Sequence, residues 1–92
     1  MKQATTLQFR SAVRQVARDV GIDIYASWTN QSTPGTRTVG FAVSVATFGF
    51  AVAVEKVLGA RGLTANTHAT LGRRNVGYRT TGEYIRGKCA FN

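Results

Sequence analysis

The chain is short of most of the side chains that enzymes work with. Its 92 residues contain one Cys, one His, one Trp and four acidic residues. A single cysteine closes no internal disulfide, which fits a reducing compartment. Asp19, Asp23, Glu55, Glu83 and His68 are the only ordinary acid–base groups apart from Lys, Tyr and the thiol of Cys89, so a three-ligand zinc site or a two-carboxylate catalytic pair has almost nothing to draw on. No glycine is followed by the lysine and hydroxyl of a phosphate-cradling loop. After Lys2 the chain enters a polar amphipathic segment rather than an apolar signal core, which predicts no secretory signal. Internal repeats, low-complexity tracts and interdomain linkers are also missing. These shortages exclude most enzyme classes, and no cofactor, metal or small-molecule substrate is expected.

What the chain has is positive charge. Twelve Lys and Arg against four Asp and Glu leave +8, and nine of the twelve cations are Arg. The sign excludes a mimic of DNA's negative surface and favours a polyanionic partner. With 43% hydrophobic and 17% charged residues the composition is globular, and the length suffices for one domain spanning 1–92. The seventeen uncharged residues Thr38 to Val54 are at the short limit for a membrane span. Their strict alternation of large and small residues from Val39 to Val45 predicts a buried core segment instead.

Thr5 or Thr6 can cap a first helix whose core face carries Phe9, Ala12, Val13, Val16, Ala17 and Val20, with Gly21 placed to end it. Arg10, Arg14 and Arg18 fall on the opposite flank, either a solvated surface or a line of guanidinium groups for an anionic partner. Ile22, Ile24 and Ala26 alternate with polar residues, and alternation resumes from Thr38 to Ala46. Between them Thr29 to Thr36, eight polar or breaker residues around Pro34-Gly35, predicts the long loop of an antiparallel hairpin over 22–46. That loop is either plain solvated chain or a contact site projecting Trp28, Asn30, Gln31 and Arg37. Trp stacks on bases, and Asn and Gln amides pair with base edges.

Residues 47–60 fit a second helix, with Phe50, Val54, Val57 and Leu58 on one face, Thr47 as cap and Gly59 as stop. A polar stretch follows. Val76 to Thr80 and Glu83 to Lys88 then read as a second hairpin turning at Thr81-Gly82. The fold predicted is α+β, a small single domain whose antiparallel sheet of two hairpins carries two helices. The core is expected to include Phe9, Val13, Val16, Ile24, Phe41, Val43 and Val54. Residues 61–92 hold six cations, among them Arg73, Arg74, Arg79 and Arg86, against Glu83 alone. With Tyr78 and Tyr84, Arg79 and Arg86 predict a basic, aromatic sheet surface. His68 has no acidic neighbour in sequence to orient it as a base, and Cys89, although beside Lys88, reads as a small packing residue. The RNA-binding sheet signature has only a loose echo in Thr38 to Val45, and a helix-turn-helix is excluded by the hairpin that separates the helices.

The opening Met-Lys-Gln-Ala-Thr-Thr-Leu-Gln-Phe-Arg-Ser-Ala-Val-Arg-Gln-Val-Ala-Arg-Asp-Val-Gly-Ile-Asp-Ile-Tyr, the 92-residue length and the lack of any cellular motif resemble a phage-encoded protein, and more specifically the small anti-CRISPR proteins acting on type I-F systems. These proteins share no common motif, so the resemblance covers the chain as a whole and transfers no catalytic residue. It implies a stoichiometric inhibitor in the host cytoplasm, a monomer docking on the type I-F surveillance ribonucleoprotein of Cas proteins and crRNA. There it would block target-DNA hybridisation or nuclease-helicase recruitment. Many such inhibitors are acidic DNA mimics. The +8 of this chain departs from them and directs it toward the guide RNA. The expected crRNA or partner contacts are Arg14, Arg18, Trp28, Asn30, Gln31, Arg37, Arg73, Arg74, Arg79 and Arg86. The rival reading is a free-standing basic RNA- or DNA-binding phage accessory protein, and a third is a membrane-active protein that uses Thr38 to Val54.

Overall fold

In the computed structural model, which describes residues 2–33, 35–45, 48–76 and 79–90, the first helix forms as its sequence dictates. In α1 (Thr6–Val20), Thr5 is the N-cap: the Gln8 N–H donates to Thr5 Oγ1 at 3.3 Å, and the Thr5 N–H donates to Gln8 Oε1 at 2.9 Å. This reciprocal pair satisfies two donors that a helix start leaves free. At the other end Gly21 adopts φ 77°, a left-handed cap that costs glycine little. Thr6, Phe9, Ala12, Val13, Val16 and Ala17 are buried. Val20, expected on the core face, is instead exposed, because the last helical turn overhangs a groove that it shares with Ile22, Val45 and Phe50.

Two short strands, β1 (Lys2–Gln3) and β4 (Leu63–Thr64), pair in parallel. The main sheet is antiparallel, in the order β2 (Ile24–Thr33), β3 (Thr36–Val43), β6 (Arg79–Ala90), β5 (Asn66–Val76). Two hairpins are thus joined through β3 and β6, with Thr36 opposite Ala90 and Val43 opposite Glu83. The α+β architecture is the one expected. The long loop at 29–36 is not. Asn30 pairs with Thr38 and Gln31 with Arg37, so 29–33 belong to β2 and Thr36 to β3, and Gly35, at φ 82°, lies between the two arms. Backbone ladder bonds and β-branched threonines outweigh the polar composition there.

The second turn also moves. Thr81 lies inside β6 opposite Arg74, and Val76 faces Arg79, so the chain does not turn at Thr81-Gly82. Residues 66–75, read as an irregular polar stretch, belong to β5. At its start the inward positions hold the small residues Thr67 and Ala69, which give little hydrophobic alternation.

The uncharged run Thr38 to Val54 divides between β3 and α2 (Phe48–Ala60), and among the described residues no helix is long and apolar enough to cross a membrane. In α2, Phe50, Ala51, Val54 and Leu58 are buried and Val57 packs beside them. Gly59 does not stop the helix. The left-handed turn comes at Gly62, φ 72°. Thr47, its expected cap, lies outside the described residues. Arg61 then reaches back to α1, donating to Ser11 Oγ at 3.3 Å and Gln15 Oε1 at 2.6 Å.

Both helices cover one face of the sheet, where Phe9 meets Phe41 with ring centroids 6.2 Å apart. Of the expected core, all but half-buried Ile24 are fully buried. The tightest point is Gly87: a Cβ there would sit 2.6 Å from Phe9 Cε1. Cys89 packs in the same layer, and burial pushes its thiol up to about 11, so Lys88 does not activate it.

Gly87→Ala is expected to lose about 1–3 kcal/mol of stability by overpacking, and adding Phe9→Leu should restore part of it in thermal melts. Val13→Asp, which buries a carboxylate, should cost several kcal/mol, whereas exposed Arg14→Ala should stay within about 0.5 kcal/mol. The Cys89 thiol ionises in the unfolded chain above its ordinary value of 9.0 and in the native protein only near 11. Its contribution is therefore full below pH 9 and falls by about 2–3 kcal/mol as pH rises toward 11. Denaturant titrations of wild type and Cys89→Ala between pH 8 and 11 should converge by that amount.

Candidate nucleic-acid interface

Successive side chains of a strand point to opposite faces. Because Val39, Phe41 and Val43 of β3, and Ile85 and Cys89 of β6, face the helices, their neighbours form a second face that no helix covers. The strand register arranges this face in rows. Trp28, Gly40, Arg86 and His68 lie across the four strands in one row, and Asn30, Thr38, Lys88 and Asn66 form the next. On the other side of the Trp28 row, Ala26 and Ala42 lead to Tyr84.

Trp28 lies across Gly40, where any Cβ would overlap the indole. Glycine at this position lets the ring rest flat on the sheet. The edge of Tyr84 meets the indole with centroids 5.9 Å apart and planes at 68°, an arrangement that aromatic quadrupoles favour. Beyond this pair the surface is cationic. Arg86, Lys88, His68 and Asn66 are exposed, and with Thr38 and Gly87 they line a shallow cavity of about 300 Å³. No carboxylate lines it. The face can therefore stack a planar ring on its aromatic pair and supply N–H donors and positive charge to an anion alongside.

Of the residues singled out in the sequence, Trp28, Asn30 and Arg86 come together here. Gln31 and Arg37 do not join them: they pair with each other one residue out of phase, on the helix side of the sheet, where Arg37 lies opposite Cys89. The supposed cluster Trp28, Asn30, Gln31 and Arg37 is thus divided between two faces by strand alternation. Arg14 and Arg18 are exposed on α1 and border a separate cavity of about 310 Å³ with Ala17, Ile22, Asp23 and Ile24. Arg73 and Arg74 belong by backbone to β5 and Arg79 to β6, with side chains beyond the described part of the structure, and Tyr78 lies outside the described residues.

His68, Lys88, Asn66 and Thr38 were not singled out as contacts. The alternation Asn66, His68, Thr70 against Thr67, Ala69 is the signal that finds them, once 66–70 is read as a strand. Among the described residues no group of three His, Cys, Asp or Glu side chains can hold a metal ion. No protein-family model matches this chain, and no curated protein or solved structure is similar to it.

Proposed function

We propose that the protein binds single-stranded RNA through its open sheet face and acts by occupancy, without turnover. The observation that carries this reading is the Trp28–Tyr84 pair lying beside Arg86, Lys88 and His68 on a face that neither helix covers. Base stacking on an aromatic platform contributes about 1–3 kcal/mol per base and tolerates any sequence. Neighbouring cations meet the phosphates, and the Asn30 and Asn66 amides offer donors and acceptors to base edges.

The resemblance to type I-F anti-CRISPR proteins supplies the target. In the host cytoplasm the crRNA of the surveillance complex is a partly exposed single strand held in protein, and a basic sheet laid on it prevents target-DNA hybridisation. Inhibition is then stoichiometric. The rival, a free-standing RNA- or DNA-binding accessory protein, uses the same face but has no preference for the assembled complex.

Trp28→Ala and Arg86→Glu should each weaken binding to labelled single-stranded RNA about tenfold or more, Arg86→Glu with a melting temperature near wild type and Trp28→Ala with a lowered melting temperature but a folded protein. The slope of log affinity against log salt should be roughly −0.7 per phosphate contacted. Binding to assembled type I-F complex that exceeds binding to naked crRNA supports the inhibitor, and equal binding supports the accessory protein. Wild-type binding by both variants removes the open face from the reading. The alternation of β2 sharpens the test: Asn30→Ala should reduce protection of phage plaquing on a type I-F host, and Gln31→Ala should not.

A further inference from the structure

The two edges of the main sheet are finished differently. At the β5 edge α2 packs alongside, and the Glu55 carboxylate accepts the Thr67 N–H at 3.1 Å. The β2 edge has no such cover. Among the described residues no strand pairs with its outer side, and Ser27, Thr29 and Gln31 are exposed. Sheet edges are ordinarily protected by lysine, proline, an inward charge or a bulge. Ile24–Thr33 has no charge and no proline, and its register shifts lie only at its ends, between Ile24 and Ala26 and between Gln31 and Thr33, so Ala26–Gln31 is a regular edge.

The surroundings of this edge are specific. Thr5 bridges to Ala90, which lies opposite Thr36 at the hairpin tip, and Arg18 borders Ile22 and Ile24 at the hairpin base. α1 therefore starts beside the end of β6, packs over β6 and β3, and comes to the β2 base only in its last turns. Its Arg10, Arg14 and Arg18 lie about 100°, 140° and 180° around the helix from Phe9, and Asp19 is on the far flank at about 280°. Arg14 and Arg18 are exposed. Arg10 is half-buried, and its Nε is buried with no hydrogen-bond acceptor among the described residues. Asp23 is the one carboxylate among the residues around Arg14 and Arg18.

The spacing selects a ligand. Four helical residues advance about 6 Å, and alternate residues of an extended strand advance about 6.6–6.8 Å. A strand added to β2 thus places two alternate side chains at the spacing of Arg14 and Arg18, which border the β2 base. We infer that the β2 edge is a strand-addition site for an extended protein segment with acidic residues at alternate positions. Its backbone pairs with β2 and two of its carboxylates meet Arg14 and Arg18. A sheet edge presents both N–H donors and C=O acceptors. A peptide backbone complements both, whereas a phosphate chain can use only the donors, so the edge favours protein over nucleic acid. This site stands apart from the open face and does not depend on RNA binding there.

The probes are blocked heptapeptides titrated into the whole protein and followed by backbone amide NMR shifts. Acetyl-Thr-Glu-Thr-Glu-Thr-Glu-Thr-amide should bind about fivefold or more tightly than its isomer with the three Glu adjacent, moving β2 amides. N-methylation of one alternate set of its backbone nitrogens should abolish binding and of the other set should spare it, because only one set faces β2. Arg14→Glu with Arg18→Glu should weaken the alternating peptide at least about tenfold, and His68→Ala, on the far strand β5, should not. Absence of binding, equal binding of the isomers, or indifference to both N-methylated forms overturns the inference. So does oligouridylate that shifts the β2 amides and displaces the peptide, since the arginine row then belongs to nucleic acid. The peptide comparisons on wild-type protein decide the matter even if the charge-reversed variant unfolds.

Discussion

The Phe9 ring rests on Gly87 against Phe41, and the placement of everything outside the core follows from that contact. A phenyl ring can approach a sheet this closely only where the strand lacks a side chain, so one glycine in β6 fixes where α1 crosses. Its position decides which alternate residues of β3 and β6 are sealed under the helices. Val39, Phe41, Ile85 and Cys89 go inward, and Thr38, Gly40, Arg86 and Lys88 are turned out. A second glycine performs the reverse task on the other face: Gly40 lets Trp28 lie flat on the sheet. Two missing Cβ atoms in adjacent strands thus define a packed side and an open side.

The same packing divides the positive charge. The +8 of the chain is not one patch. Arg61 is engaged at the surface of the fold, holding Ser11 and Gln15 of the first helix. Arg86 and Lys88 flank the aromatic pair on the open face, and Arg14 and Arg18 line the outer flank of α1. Cations on opposite sides of a thin domain act independently, because charges further apart than the Debye length, about 8–10 Å in physiological salt, are screened from one another.

Much of this was legible in the sequence because it depends on neighbours along the chain. The Thr5–Gln8 cap, the apolar stripe through Phe9, Val13 and Val16, the left-handed Gly21 and the divided run from Thr38 to Val54 are set by residues a few positions apart, and helix and strand periods report them. So were the α+β class, most of the core and the nature of Cys89. The tertiary structure decided what depends on partners far away. The polar residues 29–33 became strand only because β3 supplies the hydrogen bonds, and the start of β5 escaped notice because its inward residues Thr67 and Ala69 are small. Gln31 and Arg37 parted from Trp28 and Asn30 because one step along a strand changes its face. His68 and Lys88 joined Arg86 because β5 lies beside β6. Composition determined that the protein is cationic and poor in catalytic groups; the order of the strands, invisible to local pattern, determined where the cations meet the aromatics.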